Sequence, residues 1–234
     1  MRALAPSVLA GWLALGCSAE VEPPPGVGGA GGAGGSAPEP ASCPDVPGTW
    51  PMVLVPHPDG GSFCIDSREV TNEQYAAFLS RPAPAPHPEC VGADHTPKAN
   101  WPPAADRGPY PVGGVTWCDA HAFCTASGKR LCGDASGALI VLDKESEEEV
   151  NARRTEMWAA CTRGGTQAYA YGQGREVGRC NDLAEPDAFE PAGAETRCEG
   201  GYDGIFFLQG NAFEWEGACQ FVSYGEGGPW ATCI

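Results

Sequence analysis

Cysteine and histidine, the residues that most often carry metal or redox chemistry, are unevenly represented in this sequence. The chain has twelve cysteines and four histidines among 234 residues. No two cysteines have the Cys-x-x-Cys spacing of zinc or thioredoxin-type sites, and the histidines are too scattered for a His-x-x-x-His pair. Disulfide bonds formed in an oxidising compartment are therefore the better account of the cysteines.

The N-terminus indicates export. Met1 and Arg2 form a short basic start, and Leu4 to Leu15 is an apolar run too short to span a bilayer. The run ends in Leu-Ala-Leu-Gly-Cys17, which resembles a bacterial lipoprotein box. We predict a signal peptide over residues 1–17 that ends at a lipidated Cys17. The protein would then be anchored by lipid to the bacterial cell envelope, at the outer membrane or cell surface. Ordinary signal cleavage that leaves a free cysteine is the alternative.

Composition divides the rest of the chain into a tether and one domain. Residues 18–42 are dominated by Gly, Pro and Ala and are predicted to be disordered, because they cannot bury apolar surface. Residues 43–234 show no internal repeat and are predicted to form a single domain. The net charge of −16 argues against a nucleic-acid partner, which requires a basic surface. It suits calcium binding, or simply solubility.

The stretch from Tyr110 to Cys132 predicts a short strand, a capped helix and a glycine stop. Thr116 followed by Asp119 is the pattern of a capping box, and Gly128 is placed to follow the last helical turn. Apolar and aromatic side chains then recur at helical spacing on one face of the helix. That stripe consists of Trp117, Ala120, His121 and Cys124.

Other elements can be placed around this stretch. We predict a strand at Met52 to Val55, an edge strand at Leu139 to Leu142, a helix capped by Thr71 and Gln74, and a helix that starts after Thr155 and closes at Gly164. Tyr75, Phe78 and Leu79 are expected on the apolar face of the first helix. The Pro-rich segment that follows it is expected to be an irregular loop, pinned by Trp101 and a disulfide from Cys90.

The cysteine pairing is only partly constrained. Six residues of helix rise about 9 Å, so Cys118 and Cys124 cannot pair with each other within the ~7 Å limit on Cα separation. Cys132 and Cys161 are considered as their partners. Cys180 with Cys198, and Cys219 with Cys233, are pairs close in sequence. With Cys17 set aside, eleven cysteines remain, so one thiol is expected to be left over.

Four ordered motifs are similar to those of the formylglycine-generating-enzyme, or sulfatase-modifying factor, family. They are PVGGVTWCDAHAFCTASGKRL (from Pro111), FCIDSREVTNEQYAAFL (from Phe63), EMWAACTRGGTQAYAYG (from Glu156) and GNAFEW (from Gly210). The resemblance extends from Cys43 to the end of the chain. It implies an α+β fold with little regular structure, reminiscent of C-type lectins and here rich in disulfides.

The resemblance also implies metal chemistry. Enzymes of this family use a copper-binding cysteine pair, downstream of GNAFEW, to oxidise a sulfatase cysteine. The sequence here stops nineteen residues after Trp215 and has no such segment, so copper is not expected and the domain is read as C-terminally incomplete. Calcium is the cofactor that the resemblance best supports. One site would use Asn181 and Asp187 with the carbonyls of Asp182 and Phe189. A second would use Glu214 with the carbonyls of Gly210 and Ala212, although Phe207 stands where the family usually has Asn or Asp.

Three functional hypotheses follow. The first is a non-catalytic binding or structural module on the envelope, with a protein or glycan ligand. The second is an oxidase acting on a protein or peptide thiol, if the missing strand is supplied from elsewhere, so the question of enzymatic activity stays open. The third is a lectin-like carbohydrate binder, based on fold analogy and exposed aromatics such as Trp230.

Overall fold

Short helices and strands alternate with long irregular segments. The computed structural model describes residues 13–15, 17–20, 42–141, 155–181, 189–222 and 230–233, with the backbone alone at 13–15, 20, 141, 218–222 and 230–233. Its helices are α1 (Asn72–Leu79), α2 (Trp117–Ala126), α3 (Glu156–Thr162) and a 3-10 turn at Pro88–Cys90. Its strands are β1 (Leu13–Leu15), β2 (Ser18–Glu20), β3 (Met52–Pro56), β4 (Ser62–Asp66), β5 (Ile140–Val141), β6 (Phe213–Trp215), β7 (Ala218–Val222) and β8 (Trp230–Cys233).

The strands form three small sheets. The β3–β4 hairpin pairs Val55 with Phe63, and β2 adds to the other edge of β4 in antiparallel register. Strand β1 pairs in parallel with β6, from Leu13 opposite Phe213 to Leu15 opposite Trp215. The third sheet has the order β5-β7-β8. The expected edge strand is thus confirmed over Ile140–Val141, and the expected strand at Met52 to Val55 extends to Pro56.

The capping patterns form as predicted. In both α1 and α2 the N-cap threonine, Thr71 or Thr116, accepts from the third helical amide while the side chain at that position binds back to the cap. Gly128 follows α2 with φ of +67°. The short strand expected before α2 is wrong: a single bridge joins Pro111 to Thr71. Gly114, with φ of +69° and close to the Ala99 backbone, turns the chain away before a strand can continue.

Two apolar clusters form most of the core. In the first, Tyr75 and Phe78 of α1 pack against Phe123 of α2, with ring centroids 5.7 and 5.6 Å apart. Trp101 from the irregular loop meets Tyr75 edge-on, so the aromatic pin expected there is confirmed. The second cluster lies between the β3–β4 hairpin and α3 and includes Val55, Phe63, Ile65, Ala159, Ala160 and Ile205.

Helix α3 starts at its predicted cap and ends differently. Thr155 accepts from the Trp158 amide, as expected. The residue that leaves the helix in left-handed conformation is Arg163, with φ of +51°, and Gly164 follows it with φ of +65°. The two successive positive φ angles redirect the chain at once, and the glycine accommodates the second at little steric cost.

Four disulfides are present in the described residues. They join Cys17 to Cys124, Cys43 to Cys64, Cys90 to Cys118, and Cys180 to Cys198. The last pair and the pin at Cys90 are confirmed. The pairing of Cys118 and Cys124 with Cys132 and Cys161 is wrong, because Cys90 and Cys17 are bonded to these two helix positions. Cys132 and Cys161 are free thiols. The backbone register places Cys219 opposite Cys233.

The tether predicted from Ser18 differs at its first three residues, which form β2. Residues 21–41 lie outside the described residues. Among the helices that the structure describes, none has the length and apolarity needed to cross a bilayer.

Candidate functional site

A buried carboxylate–amide pair joins two of the sequence motifs. Glu69, before α1, is fully buried, and its two carboxylate oxygens accept from the Asn211 side-chain amide (2.6 Å) and the Ala212 backbone amide (2.9 Å). Burial is the main reason that the pKa of Glu69 lies well above its usual value, and the nearby Glu214 adds to it. The carboxyl group therefore holds the Gly210–Trp215 segment against the start of α1.

The two segments predicted to bind calcium lie against each other. The backbone amide of Asn211 donates to the backbone carbonyl of Asn181 at 2.7 Å, and Asn181 Nδ2 donates to Asn211 Oδ1 at 3.1 Å. A Cβ atom at Gly210 would lie 2.4 Å from the Asn181 carbonyl oxygen, so only glycine permits this approach. Phe189 packs with Ala212 next to the same contact. Asp182 and Asp187 lie outside the described residues.

The second predicted calcium site has one side-chain oxygen ligand, which is Glu214. Glu214 lies on β6, two residues after Ala212, and is partly exposed. Phe207, where the family usually has Asn or Asp, is 1% exposed and packs against Cys180 and Cys198. Its ring stabilises the core at this position and provides no oxygen ligand for a cation. A calcium ion here would depend on Glu214, carbonyl groups and water.

Negative charge is concentrated around Glu214. Burial, together with the neighbouring Asp66 and Glu216, raises the pKa of Glu214 to about 8. Burial also raises the pKa of Glu216, and it raises that of Asp66 to about 6 even though Lys129 donates to Asp66 at 2.5 Å. Carboxylates crowded in a low dielectric favour protonation or a bound cation. In the described residues, no group of three or more His, Cys, Asp and Glu side chains has a metal-binding arrangement.

The two free thiols among the described residues, Cys132 and Cys161, are both close enough to Glu214 for its negative charge to act on them. Burial is the main cause that raises the pKa of Cys132 well above its usual value, and that raises the pKa of Cys161 to about 11. Glu214 adds to both increases. Both sulfurs are therefore protonated at neutral pH, and a thiol is a much weaker nucleophile and metal ligand than a thiolate.

Residues 17–20 are part of the fold and lie near the acid cluster, which consists of Asp66, Glu214 and Glu216. Ser18 exchanges two backbone hydrogen bonds with Arg130, and Arg130 forms a two-pronged ion pair with the buried carboxylate of Glu156. The Cys17 sulfur is fully buried and is bonded to Cys124. A single sulfur cannot hold both a disulfide and the thioether of a lipid anchor. Lipidation at Cys17, which stays a prediction, and the Cys17–Cys124 disulfide are therefore alternative states.

A cavity of about 490 Å³ lies between the start of α1 and the irregular loop that precedes α2. Its wall is the irregular loop between Ala99 and Gly113, and Asn72 and Phe189 complete it. Its volume falls in the range of about 300–1,000 Å³ that is usual for small-molecule sites. Tyr110 lines the cavity and packs with Phe189 and Ala212, so this space adjoins the first predicted calcium segment.

Sequence reasoning missed Glu69, Lys129, Glu156 and Asn72 as structural polar residues. Charged residues are seldom fully buried unless they are paired, and a single sequence does not reveal their partners. Glu69 and Asn72 sit in the Phe63–Leu79 motif, and Glu156 opens the Glu156–Gly172 motif. Their membership of these motifs was the signal available in the sequence.

The match to a family model agrees with this arrangement. The model described as sulfatase-modifying factor enzyme 1-like domain matches residues 58–227. The chain therefore belongs to the FGE-sulfatase family, and the resemblance seen in the four motifs is confirmed. No match was found among curated proteins or among solved structures.

Proposed function

We propose that this chain is an envelope-anchored lipoprotein whose sulfatase-modifying-factor-like domain acts as a non-catalytic, calcium-stabilised binding module. The observation that carries the proposal is the cavity beneath the 99–113 loop. Trp101 packs on Tyr75 and Asn72 of α1 binds the loop backbone, while the Cys90–Cys118 disulfide joins the segments on either side of the loop. The cavity is therefore formed before any ligand arrives. A preformed site spends little binding free energy on ordering the protein.

Calcium is the cation that the chemistry around β6 favours. The acid cluster has raised pKa values, which a bound cation would lower, and carboxylate oxygens are ligands that calcium prefers. Calcium would hold in place the backbone at Phe189, which lines one side of the cavity. A rise in melting temperature with calcium but not with magnesium, measured on protein pretreated with chelator, would support this part of the proposal. Equal melting curves would remove it.

The binding function is tested by closing the cavity. Ala104 lines the cavity and is exposed, whereas the adjacent Ala105 is exposed and lies outside it. Wild type, Ala104→Trp and Ala105→Trp are screened by NMR against a chemically diverse set of small molecules. We expect compounds that bind wild type and Ala105→Trp and that lose binding to Ala104→Trp. A set of binders that ignores the Ala104→Trp change would refute the cavity as the site.

The oxidase hypothesis predicts a different result. It requires copper-dependent oxygen uptake in the presence of a thiol peptide. The raised pKa values of Cys132 and Cys161 make these two thiols poor copper ligands at neutral pH. Oxygen uptake that is lost in the Cys132→Ser or Cys161→Ser variant would replace the binding-module proposal with an enzymatic one.

The lipid anchor is tested on protein from its native host. Intact mass before and after alkylation distinguishes an acylated Cys17 from a disulfide-bonded one. Partition into detergent provides an independent reading. Acyl chains on Cys17 would support the anchor, and an unmodified leader joined to the domain by the Cys17–Cys124 bond would exclude it for that molecule.

A further inference from the structure

Asn72, the first residue of α1, presents one unused polar atom at the cavity. The side chain is 8% exposed, and its Nδ2 group donates to the carbonyls of Arg107 (2.8 Å), Tyr110 (3.2 Å) and Pro111 (3.4 Å). Because all three partners are acceptors, the orientation of the amide is fixed, and Oδ1 must point away from them. Oδ1 itself accepts no hydrogen bond within the described part of the chain.

This oxygen is reachable. Only His57 Nε2 and Gln167 Oε1 are side-chain polar atoms that are both sealed from solvent and without a partner in the described residues. Asn72 Oδ1, which also has no partner, therefore keeps contact with solvent, and Asn72 lines the cavity. A nearly buried acceptor held in one orientation favours a ligand that brings an O–H or N–H group.

The rest of the lining combines acceptors, a carboxamide and apolar rings. Asp106 is exposed and adds a second acceptor, while Asn100, in left-handed conformation at φ of +53°, offers both donor and acceptor atoms. The Arg107 guanidinium lies 4.3 Å from the Tyr110 ring centroid, so the two form a flat stack at the wall. Pro102, Pro103 and Pro111 supply apolar surface between the polar groups.

Charge narrows the ligand class. An anion would meet two acceptors, Asn72 Oδ1 and Asp106, in a protein of net charge −16. A cation would meet the positive charge of the Arg107 guanidinium, which lines the same cavity. A neutral molecule with several hydroxyl groups fits the two acceptors and the guanidinium, because each hydroxyl group can both donate and accept a hydrogen bond. Its C–H faces would lie on the tyrosine and proline surfaces.

We infer that the cavity binds a neutral saccharide unit, with a hydroxyl group that donates to Asn72 Oδ1. The inference rests on the proposed binding function and specifies its ligand. It uses the cavity and not the predicted calcium ions, so binding persists in chelator for as long as the domain stays folded.

The test is a titration of isotope-labelled protein with methyl glycosides of glucose, galactose, mannose and N-acetylglucosamine. Glycine, putrescine and inorganic phosphate serve as probes of the other ligand classes. We expect saturable shifts with at least one glycoside at millimolar concentration. Ala104→Trp should weaken that binding at least tenfold, and Ala105→Trp should leave it unchanged. Asp106→Ala should weaken it several-fold, whereas the exposed Asp45→Ala serves as the matched control. Amide spectra of each variant confirm the fold.

The outcomes separate the two proposals. If glycine, putrescine, phosphate or a member of the diverse set binds in place of glycosides and Ala104→Trp blocks it, the saccharide inference is wrong and the binding module stands. If no compound of the glycoside set or the diverse set binds, or if binding survives Ala104→Trp, both proposals fail. Glycoside binding that is insensitive to Asp106→Ala but lost in Ala104→Trp keeps the ligand class and assigns recognition to Asn72 and Asn100.

Discussion

Replacing Glu214 with glutamine removes one negative charge from the acid cluster while it keeps the size and shape of the side chain. In the absence of calcium, burial and the neighbouring carboxylates raise the pKa of Glu214 from 4.5 to about 8. The folded protein therefore holds a proton that the unfolded chain releases between these values. Its free energy of unfolding must fall as pH rises through this window, and it is highest below pH 4.5.

The size of this effect follows from the pKa. At about 1.4 kcal/mol per pH unit, the full difference is about 5 kcal/mol between the protonated and the ionised state. Because Glu214 is partly exposed, solvent screens some of that energy, and we expect about 2–3 kcal/mol. Glu214→Gln should be more stable than wild type by this amount at pH 8.5 and about equal to it at pH 4.5.

The assay is urea denaturation in chelator at several pH values between 4.5 and 8.5, with disulfides intact. Glu89→Gln, at an exposed carboxylate on the 3-10 turn, is the matched control and should follow wild type. Calcium should restore the stability of wild type at pH 8.5 and add less to Glu214→Gln. An unchanged pH dependence in Glu214→Gln would refute the argument from the acid cluster. A Glu214→Gln variant that is less stable than wild type at pH 8.5 in chelator would also refute it.

Three further changes test other parts of the fold. Asn211→Leu removes the side-chain amide donor of the buried Glu69 carboxyl group and leaves only the Ala212 backbone amide, so it should cost about 1–3 kcal/mol in urea denaturation, and a cost near zero would contradict the pairing. Lys129→Met leaves Asp66 unpaired and should cost about 3–5 kcal/mol at pH 7 but less at pH 4, where Asp66 is protonated; adding Asp66→Asn should recover part of the loss. Replacing both cysteines of the Cys90–Cys118 disulfide with serine should lower stability by about 3–4 kcal/mol, and an unchanged melting temperature would show that the disulfide does not contribute to holding the loop.

Local features of the fold could be predicted because their causes are local. The capping boxes at Thr71 and Thr116 need only a threonine and a side chain three residues later, and both formed. The aromatic face of α1 follows from helical spacing. The family itself could be recognised because its motifs combine such local patterns with fixed residue types.

Long-range pairing could not be predicted in the same way. Cys124 finds Cys17 across 107 residues, and nothing near either residue specifies the other. Glu69 and Asn211 are 142 residues apart, and each reads as an ordinary polar residue until the fold brings them together. The cavity is likewise a product of tertiary packing, because its floor, Asn72, and its wall, the 99–113 loop, are arranged by hydrogen bonds from a helix start to loop carbonyls.

Because the Cys17 sulfur is buried in a disulfide, the predicted lipidation of Cys17 would have to precede formation of the Cys17–Cys124 bond. Acylation would act on a leader that is still at the membrane, where it needs only the residues around Cys17. Disulfide formation must first close a loop of about a hundred residues, and the entropy of that closure delays it. Early acylation would therefore fix one product, in which Cys124 remains a thiol inside the α1–α2 core. Late acylation would find its sulfur already consumed. If Cys17 is lipidated, acylation and disulfide formation would compete for one sulfur atom, and the outcome would be readable as a single thiol gained or lost at Cys124.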